Sequence, residues 1–209
     1  MEILCIYCVN VRTSEVGIAL SAKAQDSVLF AACRLEVIFT TCFAAEYRTR
    51  LSGGAQEPLY QPAADPAGEH QLWYREDYFA SALHETAHWC IAGSKRRELL
   101  DFGYWYAPDG RNQSQQQAFE LAESKPQALE WLFSRACGYR FCLSADNLDG
   151  FDGQVPDSSH FRQRVFEQAR LWQRHGLPPR AARFFQALSH EFATSQVLSA
   201  MPLSMDELQ

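Results

Sequence analysis

The chain has 209 residues, 47% hydrophobic and 21% charged, with 11 glycines and 9 prolines. This fits a globular chain with its own core and excludes a disordered, fibrous or low-complexity one. The net charge of −6 falls entirely in residues 51–150, which hold 14 acidic and 8 basic side chains. That balance argues against a nucleic-acid binder and suits a section that holds a cation or meets a basic substrate.

Residues 1–30 read as an extension of uncertain order, and residues 31–209 as a single domain. Apolar spacing turns helical from Ser27 to Arg50, through Leu29, Phe30, Cys33, Val37, Ile38, Cys42, Phe43 and Tyr47. Residues 52–70, with Gly53, Gly54, Pro58, Pro62 and Pro66, read as loop. Leu72, Trp73 and Tyr74 suggest a short strand. The next helix runs from Glu76 or Asp77 to Ile91, with Asp77 as N-cap and Gly93 as the stop. Residues 113–123 are predicted helical, and Pro126 is predicted to open a further helix through Trp131 to Cys137. A polar loop covers 144–160. Helices follow over 159–174 and 179–193, and the tail after Pro202 is expected to fray. The fold class is α/β or α+β, with helices on a small sheet and the helix at 76–91 central.

Seven cysteines, Cys5, Cys8, Cys33, Cys42, Cys90, Cys137 and Cys142, form an odd set lying mostly in apolar runs. They read as reduced thiols in a cytoplasmic protein. Cys5 and Cys8 lack a second C-x2-C pair, which argues against a zinc knuckle. No apolar run has the length of a transmembrane helix, so no membrane role is expected.

The strongest local signal is His84-Glu85-Thr86-Ala87-His88. Histidines four residues apart share one helix face, so both imidazoles can meet one metal ion, with Glu85 beside that face. The surrounding helix is apolar: Phe79, Ala82, Leu83, Ala87, Trp89 and Ile91. Titratable groups in such a wall are costly unless paired or ligated. A third ligand has to come from elsewhere. Candidates are Glu98, Asp101, Glu120, Glu123 and Glu130. Glu98 and Asp101 follow too closely for an easy return. Glu120 and Glu123 share a helix face as ligand and supporting group, Glu123 being favoured. Glu130 reads as an ordinary solvated side chain. Two histidines and a carboxylate suit a hydrolytic zinc site or a non-haem iron(II) site for dioxygen. No Gly-rich dinucleotide fingerprint follows a strand.

Ala82 to Gly93 resembles the metal-binding segment of the elongation factor P hydroxylase family. So do Arg96 to Tyr106 and the Pro108-Asp109-Gly110-Arg111 that follows. Phe119-Glu120, Glu123, Lys125 to Phe133 and Asp146-Asn147-Leu148 match too, and the likeness spans about residues 33–195. The resemblance implies a bacterial cytoplasmic enzyme that hydroxylates a β-lysyl-modified lysine of elongation factor P. It implies a metal held by His84, His88 and Glu123, with Fe(II) as the ion, zinc as the alternative, and dioxygen as oxidant. Dioxygen carries more oxidising equivalents than one hydroxylation uses, so a reductant or co-substrate is required, which no motif names.

A long cationic side chain suits an acidic, aromatic-lined channel, for which Asp101, Tyr104, Trp105 and Tyr106 are candidates. Catalytic support is assigned to Glu85 and Glu120. The basic run Lys95-Arg96-Arg97 reads as a protein-docking patch or a helix end. Arg162, Arg164, Arg170, Arg174, Arg180 and Arg183 read as a solvated face. Two other functions compete. One is a zinc metallopeptidase with Glu85 as general base. The other is a binding module with a structural metal, whose loss would unfold the chain.

Overall fold

The computed structural model describes residues 26, 28–101, 111–144 and 157–208. Helix α1 (Ala32–Tyr47) buries Ala32, Leu35, Ile38, Phe39 and Phe43, one apolar stripe at three- and four-residue spacing. It is shorter than the predicted span. Ala31 is extended before it, and Arg48 turns left-handed at φ 46 after it, giving its N–H to the Ala44 carbonyl. The chain then enters the sheet.

Strands β1 (Thr49–Ala55), β2 (Leu59–Gln61) and β3 (His70–Arg75) lie in the order β1-β3-β2. β1 runs parallel to β3 and β2 antiparallel to it, which aligns Leu51, Leu72 and Tyr60 in one row. All three side chains are buried. The predicted loop over 52–70 therefore contains the end of β1 and all of β2. Gly53 and Gly54 serve a strand irregularity rather than a reverse turn. Gly54 sits at φ +90 where the register shifts between Ser52 and Ala55. At Gly53 a Cβ would lie 2.6 Å from the Glu76 carbonyl oxygen and 2.7 Å from the Tyr74 ring. Gly53→Ala is thus expected to destabilise the protein by about 1–3 kcal/mol, the usual cost of overpacking. An unchanged denaturation midpoint would refute that close approach.

Helix α2 (Phe79–Ile91) carries the histidine motif. It starts at Tyr78 rather than Asp77, with no side-chain cap. The chain arrives through Glu76, whose φ of 49 makes a tight corner, and the Ser81 hydroxyl accepts the Arg75 N–H at 3.0 Å. The helix ends when Ala92 becomes extended, one residue before the expected Gly93 stop. Cations cap its last carbonyls. Arg97 donates to the Ala92 carbonyl at 2.8 Å, and Arg180 donates to the Trp89 carbonyl at 3.1 Å. Both guanidiniums stack near the Trp89 ring, at 5.9 and 4.9 Å from its centroid. Positive charge and hydrogen-bond donors there complement the negative helix end. Arg97 therefore takes the helix-end role of the basic run. Arg180, half-buried, departs from the predicted solvated face, whereas Arg183 stays exposed on it while binding the Cys42 carbonyl and Glu46.

Helix α3 (Gln113–Cys137) is one continuous helix where two were predicted. Asn112 and Gln115 form a reciprocal capping box, each giving a bond of 3.0 Å. Pro126 lies inside the helix, where a proline costs about 3 kcal/mol. Packing outweighs that cost. Ala128, Leu129, Trp131, Leu132 and Phe133 are all fully buried, and each such large side chain contributes about 1.5–3 kcal/mol. Helix α4 (Ser159–His175) buries Phe161, Val165 and Ala169, and α5 (Pro179–Glu191) buries Phe184, Phe185 and Leu188. α1 packs on β1, α2 on β3, and α3 bridges α2, α4 and α5.

The segment after Pro202 is docked rather than frayed. Leu208 is 1% exposed. Glu207 accepts bonds from the Trp131 indole N–H at 3.1 Å and from Arg135 at 3.3 Å. Cys33, Cys42, Cys90, Cys137 and Cys142 are free thiols. Cys5 and Cys8 lie outside the described residues.

Candidate metal centre

The 3.6-residue period places His84 and His88 on the same face of α2. Their Nε2 atoms lie 3.1 Å apart. α3 crosses α2 at this point and brings Glu123, 3% exposed, to both rings. One carboxylate oxygen is 3.5 Å from His84 Nε2 and the other is 3.3 Å from His88 Nε2. Metal–nitrogen bonds of about 2.1 Å at roughly 90–110° separate neighbouring donors by roughly 3.0–3.4 Å. The spacing therefore matches three donors around one ion. Two imidazoles and a carboxylate form a donor set fit for zinc, iron or another first-row divalent metal.

Glu130 lies two helical turns beyond Glu123. Its carboxylate is 2.8 Å from His84 Nδ1, on the opposite edge of the ring from Glu123. Sequence reasoning missed this residue, taking it for a solvated side chain. It is only 8% exposed. The signal was available: a lone carboxylate inside the run Ala128-Leu129-Glu130-Trp131-Leu132-Phe133 cannot be solvated when its neighbours are core.

Burial opposes a charge on His84. The Glu130 hydrogen bond and the charges of Glu130, Glu123 and Glu85 outweigh it, and its pKa lies above the usual imidazole range. Burial raises the pKa of Glu85, against the pull of His84 and His88. Burial likewise raises that of Glu130, against its bond to His84. The cluster thus concentrates carboxylates around two imidazoles in a partly dry place, which favours a cation among them.

Glu85 is 8% exposed and close enough to His84 and His88 to feel their charge. With His88 it lines a cavity walled by Tyr60, Leu72 and Trp89. Asp101, predicted to bind substrate, lines the same cavity together with Arg96 and Arg97. Its side chain pairs with Arg96, and its backbone bridges to Tyr60 in both directions, at 2.7 and 3.0 Å. Tyr60 and Leu72 went unrecognised as cavity-lining residues because one was assigned to a loop and the other to a short strand. Glu120 is not among the three donors. It accepts a bond from Gln116 at 3.3 Å, and Gln116 in turn accepts from the buried Arg111 at 2.9 Å. Glu98 is exposed on the short turn Arg96–Glu98. Tyr104, Trp105 and Tyr106 lie outside the described residues.

The sequence matches the family described as Elongation factor P hydroxylase over residues 38–201. It is 47% identical over 157 residues to the elongation factor P lysine hydroxylase of Haemophilus influenzae, covering 75% of this chain and 86% of that one. The aligned stretch takes in both histidines of α2 and the carboxylates of α3 that meet them. A match of that length reaches well beyond the five-residue motif, and this chain belongs to the elongation factor P hydroxylase family.

Proposed function

We propose that this chain hydroxylates a lysine of elongation factor P, one already carrying a β-lysyl group, with Fe(II) and dioxygen. The observation that carries the reading is the cluster His84, His88 and Glu123, all within 4.8 Å, in a chain of this family. When bound, the metal supplies dioxygen activation. One oxygen atom enters the substrate C–H bond and the other leaves as water, with two electrons and two protons from a reductant.

The chain's own part is to bind, orient and shield. His84, His88 and Glu123 hold the ion. The cavity beside His88 receives the substrate arm. Tyr60, Leu72 and Trp89 pack against its methylenes and Glu85 faces its positive charge, with Asp101 exchanging its Arg96 partner for it. Glu120, fastened to Gln116, steadies α3 one turn before Glu123. Tyr104 and Tyr106 remain substrate-binding proposals. Among the described residues no helix is long and apolar enough to cross a membrane, and the reading places the enzyme in the cytoplasm with its protein substrate.

The zinc peptidase alternative finds no support in the family or in the named activity of the relative. The test is an intact-mass measurement on β-lysylated elongation factor P. The expected product is heavier by one oxygen atom. Chelation or exclusion of dioxygen should abolish the shift, and Fe(II), but not Zn(II), should restore it to chelated enzyme. Full activity with zinc, or peptide cleavage that vanishes in Glu85→Gln, would overturn the reading.

A further inference from the structure

We propose that Glu130 is a positioning residue of the metal centre, fixing the tautomer and ring orientation of His84. This rests on the metal-site reading above. A carboxylate accepts hydrogen bonds, and its oxygen is 2.8 Å from His84 Nδ1. Nδ1 therefore carries the ring proton and donates it to Glu130. Nε2 is then the nitrogen left to ligate a metal, which displaces any proton there, and it faces His88 at 3.1 Å and Glu123 at 3.5 Å. Without this bond the ring could rotate about its χ2 torsion or carry its proton on Nε2. Either change removes one donor from the cluster.

Glu130 is not itself a third or fourth donor. The two nitrogens of an imidazole point to different sides of a rigid ring. An oxygen bonded to Nδ1 lies behind the ring as viewed from Nε2. The arrangement follows from the spacing along α3 once that helix crosses α2. Glu123 and Glu130 are seven residues apart, close to two helical turns and roughly 10 Å of rise. One helix face therefore brackets His84, with a carboxylate in front of the ring and another behind it.

The placement also has a cost that needs an explanation. Glu130 is embedded between residues that are entirely buried, and a carboxylate there is unfavourable unless satisfied. Its hydrogen-bond partner is the metal-facing histidine, 46 residues away in sequence. A carboxylate behind a metal-bound histidine raises the basicity of the ligating nitrogen and holds the ring in place. Loss of such a group typically weakens metal affinity about 10–100-fold.

The experiment titrates Co(II) into the metal-free full chain and into its Glu130→Gln, Glu130→Ala and Glu123→Ala variants. Affinity and the visible cobalt spectrum are read together, with circular dichroism confirming that each variant is folded. Glu130→Ala should bind cobalt about 10–100-fold more weakly with an altered spectrum. Glu130→Gln is nearly isosteric and its amide oxygen can still accept the Nδ1 proton, so it should recover much of both. Wild-type affinity and spectrum in Glu130→Ala would overturn the positioning role. Complete loss of cobalt in Glu130→Ala, equal to that in Glu123→Ala, would make Glu130 a ligand and overturn it too. Failure of the wild-type chain to bind Co(II) at all would instead overturn the metal-site reading on which the proposal stands.

Discussion

Glu123→Ala is expected to lose bound metal and hydroxylation together, whereas Glu120→Ala keeps its metal. Both carboxylates are on α3, three residues apart and both buried, so composition and burial do not separate them. Direction does. Glu123 reaches both imidazoles, at 3.5 and 3.3 Å. Glu120 is bonded to Gln116, one turn back along its own helix. Removing the only carboxylate among three donors leaves two imidazoles, too few for stable binding of a first-row divalent ion in competition with water. The helices should persist, since α2 and α3 are held by Leu83, Ala87, Trp89, Leu129 and Leu132, all nearly inaccessible. Metal content of both variants after loading with equal Fe(II), read with the mass of elongation factor P, decides the assignment. If Glu120→Ala loses the metal and Glu123→Ala keeps it, the roles are reversed. If metal loss in Glu123→Ala comes with collapse of the fold, the ion is structural.

The histidine pair was legible because its information is local. A four-residue spacing on a helix means shared direction, whatever the rest of the chain does. The carboxylates are another matter. Which of Glu98, Asp101, Glu120, Glu123 and Glu130 returns to α2 depends on how α3 crosses it, and spacing along one helix does not record a crossing. Spacing and resemblance together picked out Glu123. Glu130 escaped because it was read as a lone charge on a helix surface, when its apolar neighbours already marked that surface as buried. Tyr60 was hidden by the same locality: its strand is three residues long and sits in a proline-rich section.

The fold shows the same division. The spans of α4 and α5 were legible to within two residues, with Pro179 suiting a first helical turn. Two punctuation residues misled. Pro126 marks a boundary in an isolated helix, yet here the flanking side chains fill the core and hold the helix through it. Gly53 reads as loop, yet it lies in β1 and lets that strand pass against Tyr74 and the Glu76 carbonyl. The last residues read as frayed, but Leu208 is buried and Glu207 finds Trp131 and Arg135 some 70 residues back, with Trp131 and Glu207 separated by 76 positions. Local rules give the wrong answer where tertiary packing is strong enough to reverse them.

Phe39→Ala is expected to produce the largest loss of stability among the substitutions considered. Phe39 is 0% exposed on α1. Its ring meets Phe43 at 4.9 Å, Trp89 at 5.0 Å and Phe184 at 6.3 Å, all edge-on. These partners belong to α1, α2 and α5, so a cavity at this position loosens three helices together. Truncating a buried Phe costs about 3–5 kcal/mol. For a chain of this size each kcal/mol lowers the melting temperature by roughly 2–4 °C, giving a drop of roughly 6–20 °C. Phe39→Leu retains most of the volume and should recover the larger part of it. The metal centre provides the internal control. His84 and His88 face α3, whereas Trp89 faces α1, about 100° further round α2. Well below its melting temperature Phe39→Ala should therefore still load metal. A stability loss smaller than about 1 kcal/mol would show that Phe39 does not bind the helices together, and metal loss in the still-folded variant would show that the aromatic core sets the geometry of the site directly.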